Sequence, residues 1–222
     1  MSANREPVTI ENLRAHYAKR KKEIRARLRE FQRVWDTASD ERLWEEMVYC
    51  IFTAGASAKM GLRSVEALRP LLKSGARQEM TQALVAAGAH RFPNARPEYV
   101  VVTRDYLEQT FSMRLRDRLK DFRDPFERRD WLAKDPRVKG LGYKEASHFL
   151  RNIGFKGYGI LDKHIVRCLF ELRVIDSPKP PTTRGRYLEA ESRLRSFATE
   201  AEIDFDELDL LLWSMKTGEV LK

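Results

Sequence analysis

Two residues of the 222-residue chain, Lys144 and Asp162, combine type and position in a way that points to covalent chemistry. Lys144 follows the run Val138-Lys139-Gly140-Leu141-Gly142-Tyr143 and falls in the first turn of an expected helix. The positive end of a helix dipole disfavours a protonated amine, and an unprotonated amine is what a nucleophilic lysine requires. Taken alone, a lysine at such a place is most often a solvated surface residue. Asp162 changes the weighing. It precedes the helical stretch that starts at Lys163, which makes it a natural N-cap. A helix folding back after the loop Gly154–Gly159 could also turn that carboxylate toward the amine. There it would orient the amine and stabilise positive charge developing on a sugar ring. Capping alone is the plainer alternative for this aspartate.

The elements that must position the pair begin with two glycines. An apolar residue, then Gly140-Leu141-Gly142, then a helix with the small residue Ala146 one turn in, reads as a helix-hairpin-helix turn. Glycines let the backbone turn tightly with no Cβ in the way. They also bring amide N–H groups out at the head of the next helix, an arrangement suited to a phosphate. Such a turn holds nucleic-acid backbone without reading sequence. A lone G-x-G is weak evidence, and a plain helix–glycine–helix connection is the alternative. The surroundings favour the first reading: Arg137 to Arg173 holds eight basic residues against three acidic. Residues 136–173 are therefore the expected hairpin and catalytic segment. Lys139 and Arg151 are candidate phosphate contacts or simply solvated. His148, one turn beyond Lys144 on the same face, lines a base pocket or is a half-buried, hydrogen-bonded histidine.

Helical periodicity dominates elsewhere. Leu28, Phe31 and Trp35 mark a first long helix; Leu43, Met47 and Ile51 a second, with Asp40 as its expected cap; Leu62, Val65, Leu68, Leu71 and Leu72 a third. Arg114–Arg123 alternates charge with Leu115, Leu119 and Phe122, as an amphipathic helix does. Ala146, Phe149, Leu150 and Ile153 give a clean helical stripe, as do Ile165, Leu169 and Leu172. Phe205, Leu208, Leu212 and Met215 form the last. Tyr99–Thr103 is rich in β-formers but short, and fits a helix start as well. The six acids from Glu200 to Asp209 read as charging of a helix N-terminus. The expected fold is all-α: many short helices in one unit of two lobes spanning 1–222, with a cleft between the lobes.

Composition narrows the partner. Lys and Arg number 42 against 33 Asp and Glu, a formal charge of +9, which favours a polyanion such as nucleic acid. Two cysteines, Cys50 and Cys168, sit among apolar neighbours and read as buried free thiols. They are too few for a four-cysteine metal or cluster site, and the four histidines lack ligand spacing, so no metal is expected. No apolar run approaches a membrane span, and the N-terminus has no signal-like apolar core. A monomer in the cytoplasm, associated with the nucleoid, is expected.

The run KGLGYKEASHFLRN from Lys139, followed by Leu161-Asp162-Lys163-His164, closely resembles the archaeal-type 8-oxoguanine DNA glycosylase/lyases of the helix-hairpin-helix glycosylase superfamily. WEEMVYCIFTAGASAKMG, Trp44 to Gly61, is similar too, and the likeness covers most of the chain. The resemblance implies Lys144 as catalytic lysine and Asp162 as catalytic aspartate. It implies that Trp213 stacks on an extruded base and that Lys222, through its terminal carboxylate, helps distinguish 8-oxoguanine from guanine. Phe92 is a candidate second stacking face, with core packing as its alternative. The implied partner is double-stranded DNA containing oxidised guanine, with no cofactor. A DNA-binding module without catalysis, or a glycosylase for another lesion, is the competing reading.

Overall fold

A computed structural model describes residues 7–221. Among them the chain forms eleven α-helices, one 3-10 turn at Arg69–Leu71 and no strand, so the all-α expectation holds. The helices are α1 (Ile10–Thr37), α2 (Asp40–Thr53), α3 (Ala58–Leu68), α4 (Arg77–Ala86), α5 (Arg96–Phe111), α6 (Leu115–Asp121), α7 (Pro125–Lys134), α8 (Tyr143–Asn152), α9 (Lys163–Glu171), α10 (Arg184–Glu200) and α11 (Phe205–Thr217). They divide into two compact units. One runs from Val34 to Ile153; the other joins the chain up to Arg33 with the chain from Gly154 onward.

The Val34–Ile153 unit is built around α2. Leu43, Met47, Val48, Cys50, Ile51 and Phe52 are all fully buried, so this helix is apolar on nearly every face and must be surrounded. Helices α3, α5, α6 and α8 pack on it. Each such side chain contributes about 1.5–3 kcal/mol by leaving water. Gly61 sets the approach of α3: a Cβ there would stand 2.6 Å from Thr53 Cγ2 and 3.0 Å from Tyr49 Cε2. The buried face of α3 is Gly61, Ser64, Val65 and Leu68. Leu62, expected on that face, lies about 100° round from Gly61 and is 42% exposed. Asp40 is not the cap of α2. Ser39 is, its Oγ accepting the Arg42 N–H at 3.3 Å, while Asp40 accepts the Arg116 N–H at 2.7 Å. Tyr99–Thr103 is helical, inside α5.

In the other unit α9 and α10 each pack against α11. Tyr17 donates to Glu207 Oε2 at 2.6 Å and Arg25 Nε to Glu207 Oε1 at 2.7 Å, tying α1 to the first turn of α11. Cys168 lies against the Leu212 carbonyl, 3.8 Å away, and burial pushes its thiol up to about 12. Both cysteines are buried and free, as expected. No helix of the described residues is long and apolar enough to cross a membrane.

Candidate active site

The hairpin turn lies between α7 and α8. Helix α7 ends at Asp135, and Pro136 follows, unable to continue it. Asp135 gathers donors from several sides: Tyr106 Oη at 3.0 Å, Arg137 Nη2 at 2.8 Å and the Arg137 amide at 3.0 Å. The Arg137 guanidinium, helped by the Tyr106 hydroxyl and opposed by partial burial, holds this carboxyl down at about 2. Val138 and Leu141 plug the turn into the unit's interior, each 5% exposed. The Lys139 amide donates to Thr103 Oγ1 at 2.8 Å.

Gly140 takes φ +80°, and a Cβ there would meet Tyr99 Cδ2 at 2.9 Å and Ile51 Cγ2 at 3.1 Å. Both the left-handed backbone and the close ring require glycine. Gly142 is the N-cap of α8, its amide donating to Glu145 Oε2 at 3.3 Å. The Gly140 and Leu141 amides donate to no acceptor among the described residues. The turn thus leaves two N–H groups without an acceptor near the positive end of α8, as a phosphate site needs.

Lys144 follows immediately. Its Nζ stands 3.6 Å from Glu145 Oε1, and its side chain is 24% exposed. The amine is therefore neither buried nor loosely solvated. Farther along α8, His148 is 7% exposed and stands edge-on to the Tyr49 ring at 5.6 Å, closer to the packed-histidine alternative. Arg151 is 6% exposed. That overturns the solvated alternative, and it leaves the guanidinium little surface to offer a phosphate. Lys139 is exposed. Phe92 is 43% exposed, with the Arg91 guanidinium 4.7 Å from its ring centroid, so core packing is not its role.

Asp162 is the N-cap of α9, as its position in the sequence suggested. Its Oδ1 accepts from His164 N and Ile165 N, both at 2.8 Å. Oδ2 accepts nothing among the described residues, so capping leaves half of the carboxylate available. The segment before it bends at Gly157, which takes φ +81°, and is internally anchored. Gly157 N donates to Asp206 Oδ1 at 2.9 Å, Gly159 N to Glu191 Oε1 at 2.8 Å and Ile160 N to Asp209 Oδ1 at 2.9 Å. Leu161 N donates to Tyr187 Oη at 3.2 Å, and that hydroxyl donates to the Gly159 carbonyl at 2.7 Å.

These acceptors were missed in the sequence. The run Glu200–Asp209 does include a cap, Asp204, whose Oδ1 accepts from Asp206 N and Glu207 N. Asp206 and Asp209, however, point inward and are 8% and 1% exposed. The available signal was their spacing of three on an otherwise leucine-rich helix. From Asp206 to Lys216 every residue of α11 is buried except Trp213, which is half-exposed. Pure core packing therefore does not describe that tryptophan. Lys222 lies outside the described residues. No group of three or more His, Cys, Asp or Glu among the described residues is arranged to hold a metal.

An all-helical chain with an amide-lined glycine hairpin running into a part-exposed lysine falls in the helix-hairpin-helix class. More narrowly, it belongs to the 8-oxoguanine DNA glycosylase family, whose model matches residues 24–203. It is 43% identical over 199 residues to an 8-oxoguanine DNA glycosylase/AP lyase of Korarchaeum cryptofilum, covering 90% of each chain. The corresponding Methanocaldococcus jannaschii protein is 36% identical, with 90% of this chain and 91% of that one covered. The fold is similar to the crystal structure of the M. jannaschii 8-oxoguanine glycosylase/lyase in complex with a 15mer DNA containing 8-oxoguanine. The TM-score there is 0.86 at 34% identity, covering 96% of this chain and 99% of that one. The 8-oxoguanine DNA glycosylase of Thermotoga maritima gives 0.85 at 32% identity, covering 96% and 98%.

Proposed function

We propose that the chain excises 8-oxoguanine from double-stranded DNA and then cleaves the abasic strand through a lysine Schiff base. The observation that carries this reading is the placement of Lys144. Its amine stands part-exposed directly after a turn whose free amides suit a phosphate, in a chain of the 8-oxoguanine DNA glycosylase family. Gly140, Leu141 and Gly142 hold the strand, and Lys139 adds charge beside them. The damaged nucleotide leaves the stack, because its glycosidic bond is inaccessible there, and Trp213 and Phe92 offer aromatic faces to the extruded base.

Lys144 Nζ attacks C1′ as the bond to the base breaks, and the base departs with the bonding electrons and takes up a proton. Opening of the sugar ring gives an imine on Lys144. Loss of a C2′ proton then expels the 3′ phosphate, and water releases the lysine. Asp162 Oδ2 stabilises the cationic sugar, which is the moment of greatest charge. Such a substrate implies a cytoplasmic, nucleoid-associated enzyme.

Borohydride should trap a covalent complex between the protein and an 8-oxoguanine duplex. Lys144→Gln should abolish the trapping; trapping that persists in that variant removes Lys144 from its role. A protein that shifts DNA but releases no base from any lesion in a panel is instead a binding module.

A further inference from the structure

The segment Gly157–Leu161 is the most heavily braced non-helical stretch around the site. Four of its five amides donate to side chains rather than to water or to other backbone. Three of the four acceptors are carboxylates, and all are buried: Asp206 at 8%, Glu191 at 4% and Asp209 at 1% exposed. They come from α10 and α11, 32 to 49 residues away in the chain.

Stability alone is a poor account of this arrangement. A hydrogen bond to a charged group contributes about 1.5–3 kcal/mol, while withdrawing a carboxylate from water costs several kcal/mol. Neutral acceptors or a turn would satisfy the same amides at lower cost. What charged acceptors from two helices add is definition of position. The backbone is held at alternate and successive residues, Gly157, Gly159 and Ile160, and cannot slide or twist. The segment ends at Asp162, whose own amide closes onto the Ile160 carbonyl at 2.8 Å. A catalytic carboxylate must be held to within about half an ångström.

We infer that Glu191, Asp206 and Asp209 are positioning residues: they clamp Gly157–Leu161 and so fix where the Asp162 carboxylate stands. This rests on the proposed role of Asp162. Helix geometry adds a second consequence. Asp206, Asp209 and Trp213 share one face of α11, since spacings of three and four residues return to the same side. The clamp therefore ties Asp162 to the helix face that carries the half-exposed Trp213.

The test uses the full chain and an 8-oxoguanine duplex in single turnover with enzyme in excess. Asp209→Ala and Glu191→Ala should each slow excision by about tenfold to a hundredfold, with DNA affinity changed by less than about twofold. Asp209→Asn and Glu191→Gln keep an acceptor oxygen and should recover most of the rate. In an Asp162→Asn background the alanine changes should add less than about twofold, because the clamp acts only through Asp162. Folded alanine variants at the wild-type rate overturn the inference, as does an undiminished loss in the Asp162→Asn background. Should Asp209→Ala fail to fold, Glu191→Ala and Asp206→Ala carry the same reading. Should Asp162→Asn itself keep the wild-type rate, it is the assignment of Asp162 that fails, not the clamp.

Discussion

Two stretches of backbone each lead into a helix that carries a candidate site residue, and they treat their amides in opposite ways. Residues 135–142 lead to Lys144, residues 157–161 to Asp162. The first bends sharply at Gly140, fastens itself by Asp135 and two apolar plugs, and leaves the Gly140 and Leu141 amides without an acceptor among the described residues. The second bends at Gly157 and gives four of its five amides to buried side-chain acceptors. A turn that must grip an external anion has to keep donors unoccupied. A segment that must only hold a carboxylate steady does best with none to spare. The contrast is between a stretch with donors left to bind and a stretch whose donors are already used.

The sharpest way to test that contrast is to remove the groups proposed to react. Lys144→Gln should cut strand nicking at 8-oxoguanine by at least about a thousandfold while leaving DNA affinity in gel shifts nearly intact. Asp162→Asn comes next. Asparagine caps as well as aspartate, so thermal stability should move by less than about 0.5 kcal/mol, whereas excision should fall by about a hundredfold or more. A variant that lost stability and activity together would mean that capping is all Asp162 does. Gly140→Ala attacks the first stretch itself. The left-handed φ and the Tyr99 ring at 2.9 Å from the new Cβ should cost about 2 kcal/mol in denaturant unfolding and weaken binding to undamaged and damaged DNA alike.

The smallest effect concerns Asp135. Its carboxyl is depressed from 3.8 to about 2, so its contribution is present above pH 3.8 and is lost as the pH falls toward 2. Arg137 is 59% exposed, and screening reduces the contribution to about 1 kcal/mol. Melting temperatures of wild type and Asp135→Asn should therefore differ near neutrality and converge at about pH 2. A constant offset down to that pH would mean that the turn is not held by this charge.

The turn before Lys144 and the cap at Asp162 were legible in the sequence because their signals are local. Two glycines separated by one residue mark the turn, and a carboxylate three residues before an apolar stripe marks a cap. The clamp was not legible, because Glu191, Asp206 and Asp209 meet partners tens of residues away and no local pattern separates an inward acid from a solvated one. Arg151 was misjudged for the same reason: its α8 stripe predicts helix, but only packing decides that a guanidinium on it is 6% exposed. Leu62 and Asp40 were off by one position on a helix, where one residue is about 100° of rotation. The helices themselves were recoverable since α8, α9 and α11 each carry an apolar stripe of the right period.

The unit that carries Asp162 is assembled from both ends of the described chain, with Val34–Ile153 inserted between. Synthesis from the N-terminus therefore delivers the inserted unit complete, hairpin and Lys144 included, while α1 still lacks α11 and Glu207. Asp206 and Asp209 emerge from the ribosome only after the whole inserted unit. The glycine hairpin can thus form early, whereas the segment leading to Asp162 cannot be braced by Asp206 and Asp209 until α11 is free.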